Sequence, residues 1–162
     1  MADRLAKKAA VEEGEIVFHK IPRDIIVSEE KIKSLQRWQL QWNESTKGPI
    51  TRLFFPTIKE RLKIKVPIGV EYTAMVTGHG LTRSYLHRFK LIPDPLCSCN
   101  LREDQTIHHI ILNCTHLEHE RRTLRSELRL RGQAWPPLFE HLTTKYLKNF
   151  NKFINSIDFS KL

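Results

Sequence analysis

The three cysteines of the chain fall in one short stretch, Cys97-Ser98-Cys99 followed by His109 and Cys114, a Cys-x-Cys-x9-His-x4-Cys spacing. Thiolate and imidazole are ligands that Zn2+ prefers, and four of them complete its tetrahedron. A site closed in this way leaves no position for substrate, so it organises a fold and points to binding rather than turnover. The competing reading packs Cys97 and Cys99 as small buried hydrophobes under the turn Ile92-Pro93-Asp94-Pro95-Leu96. An odd cysteine count argues against a disulfide framework, and with no N-terminal apolar run of signal-peptide length the expected compartment is reducing. His108 and His109 both lie within ligand spacing of Cys114, and spacing gives His109 only a slight edge.

Charge narrows the partners. The chain of 162 residues has 27 Lys and Arg against 18 Asp and Glu, a net charge of +9. Such an excess favours nucleic acid, an anionic membrane surface or an acidic protein, with nucleic acid first. No run approaches a transmembrane helix in length, and no strongly apolar helical face is rimmed by lysines, so a membrane role has no carrier. The length and the 40% hydrophobic content suffice for one ordinary core.

Along the chain, Asp3 to Glu13 reads as a short helix ended by Gly14. From Glu15 to Val27 the pattern is extended, with Ile16-Val17-Phe18 strand-like and Pro22 excluding a helix, so 14–27 reads as a linker. Ser28 is positioned to cap a helix carrying Ile32, Leu35, Trp38, Gln39 and Trp42 on one face, stopped by Lys47-Gly48-Pro49. Two tryptophans one turn apart can stack bases, but on an amphipathic helix they are read as core. Further short helices are predicted over 58–64, capped by Thr57, over 70–77, ended by Gly78, and after the Thr82 cap. His79 lacks an identifiable carboxylate or nucleophile to serve as a catalytic base. Thr106 is positioned to cap the helix that carries His109. Leu117, Leu124 and Leu128 mark an amphipathic helix ending at Gly132, and after Pro136-Pro137 the residues Leu138, Leu142, Tyr146, Phe150, Phe153 and Ile157 can pack back on the body.

Two basic stretches are candidate phosphate contacts. Arg83, Arg88 and Lys90 interleave with Tyr85 and Phe89, and Arg121, Arg122 and Arg125 belong to the densest positive stretch of the chain. The opposing readings are a core face of Tyr85, Leu86 and Phe89, and helical pairing of the arginines with Glu118, Glu120 and Glu127.

Several stretches together resemble one family. Residues 1–10, Met-Ala-Asp-Arg-Leu-Ala-Lys-Lys-Ala-Ala, resemble the end of a type 1 ribonuclease H domain, in which Asp3 matches the last metal-binding aspartate. Trp38-Gln39, Trp42, residues 47–52, Phe54-Phe55-Pro56, residues 77–80, residues 85–89 and the cysteine and histidine set resemble the C-terminal region of non-LTR (LINE) retrotransposon polyproteins of the insect Jockey/I type. The resemblance implies that 1–13 is the last helix of a ribonuclease H domain and that 28–162 is a helical C-terminal domain with a zinc knuckle at 97–114. It implies His109 as the metal histidine, RNA or single-stranded DNA as partner alongside the upstream polyprotein domains, and a nuclear location. Ribonuclease H chemistry needs several carboxylates around two metal ions, so an isolated Asp3 implies no catalysis by this region alone.

The sequence therefore predicts a mainly α-helical domain stapled by one structural Zn2+ at Cys97, Cys99, His109 and Cys114. Nucleic-acid contacts are expected at Arg83, Arg88, Lys90, Arg121, Arg122 and Arg125. No small-molecule substrate and no membrane enter this expectation. The alternatives are a module that packs on the reverse transcriptase and ribonuclease H domains, and a truncated relic without function.

Overall fold

The computed structural model describes residues 1–12, 20–67, 69–99 and 102–162. The strand-like Ile16-Val17-Phe18 and the stop at Gly14 lie outside the described residues. Among the described residues the regular elements are helical, and the chain divides into two compact units, Met1–Gln36 and Arg37–Leu162.

The first unit holds α1 (Ala2–Val11) and the start of α2 (Arg23–Glu44). No residue of α1 is buried, and its Asp3 faces Lys7 at 2.9 Å, an i,i+4 pair of the kind that supports an exposed helix by a few tenths of a kcal/mol. The helix α2 begins at Arg23, just after Pro22, and not at Ser28. Proline is tolerated at a helix start because its missing N–H is one of those without an intrahelical partner there, so Pro22 leads into the helix, its carbonyl accepting the Ile26 N–H at 3.4 Å, and does not exclude it.

The second unit is built on aromatic stacking. Phe54, at the end of α3 (Pro49–Phe54), is fully buried and stacks on Phe139 of α8 (Phe139–Thr143) at 4.9 Å and on Phe150 of α9 (Leu147–Ser156) at 5.6 Å. Tyr72 of α5 (Val70–Thr77) meets Phe150 edge-on. The Thr143 hydroxyl donates to the Phe54 carbonyl at 2.7 Å, satisfying a group that burial would otherwise strand. Gly78 ends α5 at φ +71°, and a Cβ there would stand 3.0 Å from Ile50, so both backbone and space select glycine.

The long α7 (Glu118–Arg129) lays Leu124 and Leu128 against α9, continuing the stripe from Leu117. Leu142, Tyr146, Phe150, Phe153 and Ile157 are buried as the C-terminal pattern predicts, whereas Leu138 is largely exposed because it precedes α8 and faces away from the packed layer. Buried apolar residues from Phe54 to Ile157 form one cluster that includes Cys97, Cys99 and Cys114, so the cysteine site is continuous with the core.

Helix α2 departs from its expected role. None of its residues is buried, Ile32 and Trp38 are exposed, and its C-terminal part is held by hydrogen bonds instead. The Gln39 side chain donates to Pro56 O at 2.9 Å and accepts from the Ile58 N–H at 2.8 Å, thereby starting α4 (Ile58–Arg61) in place of the expected Thr57 cap. The Trp42 indole N–H donates to Phe55 O at 2.9 Å. Trp38 and Trp42 are therefore not core residues.

Candidate metal centre

The site is assembled by a closed loop and a widened helical turn. Cys97 N–H bonds to Glu103 O and Gln105 N–H to Pro95 O, both at 2.8 Å, which pairs the chain on either side of the loop that carries Cys97 and Cys99. Thr106 then caps the next turn, its hydroxyl accepting the His109 N–H at 3.1 Å, as predicted.

From His109 to Asn113 the backbone winds as a π-helix, with Cys114 N–H bonded to His109 O at 2.7 Å. In an α-helix, residues five apart lie about 140° apart around the axis. A bond from i to i+5 closes the turn over those five residues and brings His109 and Cys114 to the same side. The winding thus turns an x4 spacing into a pair of neighbouring donors.

The donor atoms of Cys97, Cys99, His109 and Cys114 all lie within 4.8 Å of one another, and all four residues are buried. Cys97 Sγ is 3.7 Å from Cys114 Sγ, and His109 Nε2 is 3.3 Å from Cys99 Sγ. Four donors of this kind at this separation can hold one metal ion. Burial pushes the Cys114 thiol up to about 12, and the neighbouring Cys97 and Cys99 push in the same direction. Buried thiols this close are hard to ionise together unless a cation compensates them, and a bound metal reverses that balance by taking the place of the protons. His108 takes no part: it is exposed and its ring lies 4.9 Å from that of Phe139.

Three supporting residues escaped the sequence reading. The Glu103 carboxylate accepts from His109 Nδ1 at 2.9 Å and from the Asn113 amide at 3.3 Å; the bond from His109 holds its carboxyl below the usual range. Gln105, 1% exposed, donates toward Cys97 Sγ at 3.6 Å and to Leu162 O at 2.9 Å, while its carbonyl accepts the Arg83 N–H. Arg121, 2% exposed, donates to Ile111 O, Cys114 O and Glu118, covering carbonyls that the π-helix leaves at its end. Only Arg121 carried a signal: it shares a helical stripe with Leu117, Leu124 and Leu128.

Arg121 is therefore a buried clamp and not a surface cation free for phosphate; packing of its stripe against the core carries it inside. Arg83, the first residue of α6 (Arg83–Arg88), is half-buried and paired with Asp94 at 3.2 Å. Arg88 and Lys90 are exposed, with Arg88 over the rings of Tyr85 and Phe89. Arg122 and Arg125 are exposed, and Arg125 lies 5.1 Å over the Trp135 ring. Asp3 stands on exposed α1, and the Cys97, Cys99, His109 and Cys114 group is the metal-competent cluster found among the described residues. No helix of the described residues is long and apolar enough to cross a membrane.

Fold and site together define a class: a small helical domain with one buried group of three cysteines and a histidine inside its core. Among curated proteins, the chain is similar to the retrovirus-related Pol polyprotein from the type-1 retrotransposable element R1 of Popillia japonica, 26% identical over 159 residues, which is 96% of this chain and 63% of the relative. It is also similar to the corresponding R1 polyprotein of Bradysia coprophila, 30% identical over 81 residues, which is 49% of this chain and 8% of that polyprotein. The chain thus spans less than two thirds of the length of either relative. These similarities support a non-LTR retrotransposon origin and a role within such a polyprotein. No family model and no solved structure matches the chain.

Proposed function

We propose that this chain is the nucleic-acid-binding, zinc-knuckle region of a retrotransposon Pol polyprotein, acting by binding rather than by catalysis. The observation that carries the reading is the buried four-donor cluster: its donor set is the one that suits Zn2+, and four protein ligands leave no coordination position for substrate. The net charge of +9 and the exposed Arg88, Lys90, Arg122 and Arg125 supply the phosphate-binding component, while Arg121 belongs to the scaffold. RNA or single-stranded DNA is the partner, and a nuclear location goes with the family resemblance.

Two measurements test it. Elemental analysis of purified protein should find one zinc per chain, lost in Cys97→Ser, Cys99→Ser, His109→Ala and Cys114→Ser and kept in His108→Ala. Binding of single-stranded RNA or DNA should weaken steeply with salt and fall further when Arg122 and Arg125 are both replaced by alanine. Salt-independent affinity, or well-folded protein without zinc, overturns the reading.

A second reading has one specific observation in its favour. Ile25, Ile26, Val27, Ile32 and Leu40 of α2 are exposed apolar residues, as on a helix that packs against the reverse transcriptase or ribonuclease H part of the polyprotein. Self-association or poor solubility of the isolated chain, relieved by co-expression with those domains, would support it.

A further inference from the structure

The second compact unit has a concavity that the metal centre does not use. Trp38 and Trp42 of α2 form one wall of a cavity of about 340 Å3, and Phe55, Ile58, Tyr72 and Val76 form much of the rest. That volume falls in the range of roughly 300–1,000 Å3 typical of small-ligand sites. Trp38 lines the cavity and is 47% exposed, so one large indole faces solvent beside an apolar hollow.

The charged side chain in the lining of the hollow is basic. Arg61 lines it and lies 5.0 Å over the Phe55 ring, and Arg52 lies 5.8 Å over the Trp42 ring. Lys59 and Lys65, close in sequence to Arg61, are exposed. No Asp or Glu is among the lining residues, and nearby Glu60 is engaged by Lys63 at 2.8 Å. Tyr72 adds a polar feature: its hydroxyl is buried in the wall without a hydrogen-bond partner, and burial raises its pKa to about 12, so it remains a donor at neutral pH.

We propose that this cavity receives one unstacked base of a single-stranded nucleic acid, its ring against the Trp38 and Trp42 indoles and its phosphate at Arg61 and Arg52. The inference rests on the nucleic-acid reading above and deepens it, because it adds a base-stacking site apart from the metal centre. Stacking on aromatic rings tolerates any sequence, since every base has a π face, and a basic rim engages the phosphate that accompanies every base. An apolar side chain of a protein partner would fill the same walls. It would leave Arg61 and Arg52, which donate to the Ile64 and Lys47 carbonyls but have no carboxylate partner among the described residues, without a counter-charge, which is why the nucleotide is preferred.

The test uses the full chain with two fluorescently labelled probes: a mixed-sequence single-stranded RNA of about 12 nucleotides, within the usual site size, and an abasic strand of the same length. Trp38→Ala should weaken RNA binding about tenfold. It should leave the salt dependence unchanged, since it removes no charge, and should leave abasic-strand binding as in the parent. Trp38→Tyr, which restores an aromatic face, should recover most of the affinity. Trp38 is exposed and outside the Gln39 and Trp42 anchors, and an unchanged melting curve would establish that each variant is folded.

If Trp38→Ala binds RNA as tightly as the parent with the same salt dependence, the cavity proposal falls and the nucleic-acid reading stands. If the parent binds neither strand in a salt-dependent way, the nucleic-acid reading itself falls and takes the cavity with it. Unchanged RNA affinity in Trp38→Ala, together with quenching of the parent's tryptophan emission by N-acetylphenylalaninamide, would give the cavity to a protein side chain and overturn the proposal.

Discussion

The carboxylate of Glu103 lies 2.9 Å from Nδ1 of His109. A carboxylate can only accept, so Nδ1 carries the proton, and in the neutral ring the lone pair is left on Nε2, 3.3 Å from Cys99 Sγ. The pair therefore favours the tautomer in which Nε2 faces the three thiols, the one a metal requires of His109.

Replacing Glu103 by Gln should weaken zinc affinity about 10- to 100-fold, the usual loss when the partner of a ligating imidazole is removed. The stoichiometry at saturation should remain one per chain. Competition against a chromogenic chelator reads the affinity. An unchanged value would mean that the π-helix alone orients the ring.

Chelation should cost far more than one side chain. Structural zinc contributes on the order of 10 kcal/mol of apparent folding energy at neutral pH. Because Cys97, Cys99 and Cys114 belong to the main core cluster, its loss should loosen α7 as well as the loop. Circular dichroism melts with and without EDTA would show a large fall in Tm, and amide exchange should open residues 97–117 first. A melt insensitive to EDTA would make the cysteines packing residues.

Arg121 and Arg122 are neighbours with opposite expected behaviour. Arg121→Ala removes charged hydrogen bonds to Ile111 O, Cys114 O and Glu118 from a buried position and should destabilise by about 3 kcal/mol. Arg122→Ala, at the surface, should stay within about 0.5 kcal/mol while reducing RNA binding. Urea titrations separate the two, and equal effects on stability would contradict the assignment.

Tyr72→Phe should be neutral or stabilising by up to about 1 kcal/mol, because it deletes a buried hydroxyl without a partner and keeps the ring against Phe150. Thermal unfolding is sufficient to measure it. A clear loss of stability would mean that the hydroxyl is satisfied in solution.

The link between α7 and α9 should weaken in acid. Glu127 accepts from Lys152 and from Asn149, each at 2.6 Å, and these bonds, Lys152 first, hold its carboxyl below the usual range. A folded pKa below the unfolded one means that the unfolded chain takes up the proton first, so this stabilisation is complete above the unfolded carboxyl pKa and is lost as pH falls through the folded value. Urea midpoints between about pH 6 and about pH 3 should fall less in Glu127→Gln than in the parent. Parallel slopes would remove Glu127 from the acid response.

Much of the site could be read from local sequence. Cys97, Cys99 and Cys114 carry their metal-ligand pattern in spacing alone, and the Thr82 and Thr106 caps form as predicted because capping is decided within three residues. Gly78 is equally local, its positive φ being required by the helix it ends. Glu103 left no such mark, since an exposed glutamate in a loop looks the same whether or not it later meets an imidazole. Arg121 did leave one, in its register with Leu117, Leu124 and Leu128, but a single arginine in an apolar stripe is ordinarily taken as surface charge.

Local periodicity determined that this chain is helical, which face of each helix is apolar, and that one short stretch offers four metal donors. The tertiary structure decided whether those faces are covered. It buried Arg121 because α7 packs against the turn from Ile111 to Cys114, left Trp38 beside a cavity because α2 is held by hydrogen bonds to residues 55–58, and brought His109 to Cys114 through a π-helix. Periodicity depends on neighbours a few residues away, whereas coverage depends on elements distant in the chain, whose packing no local pattern encodes.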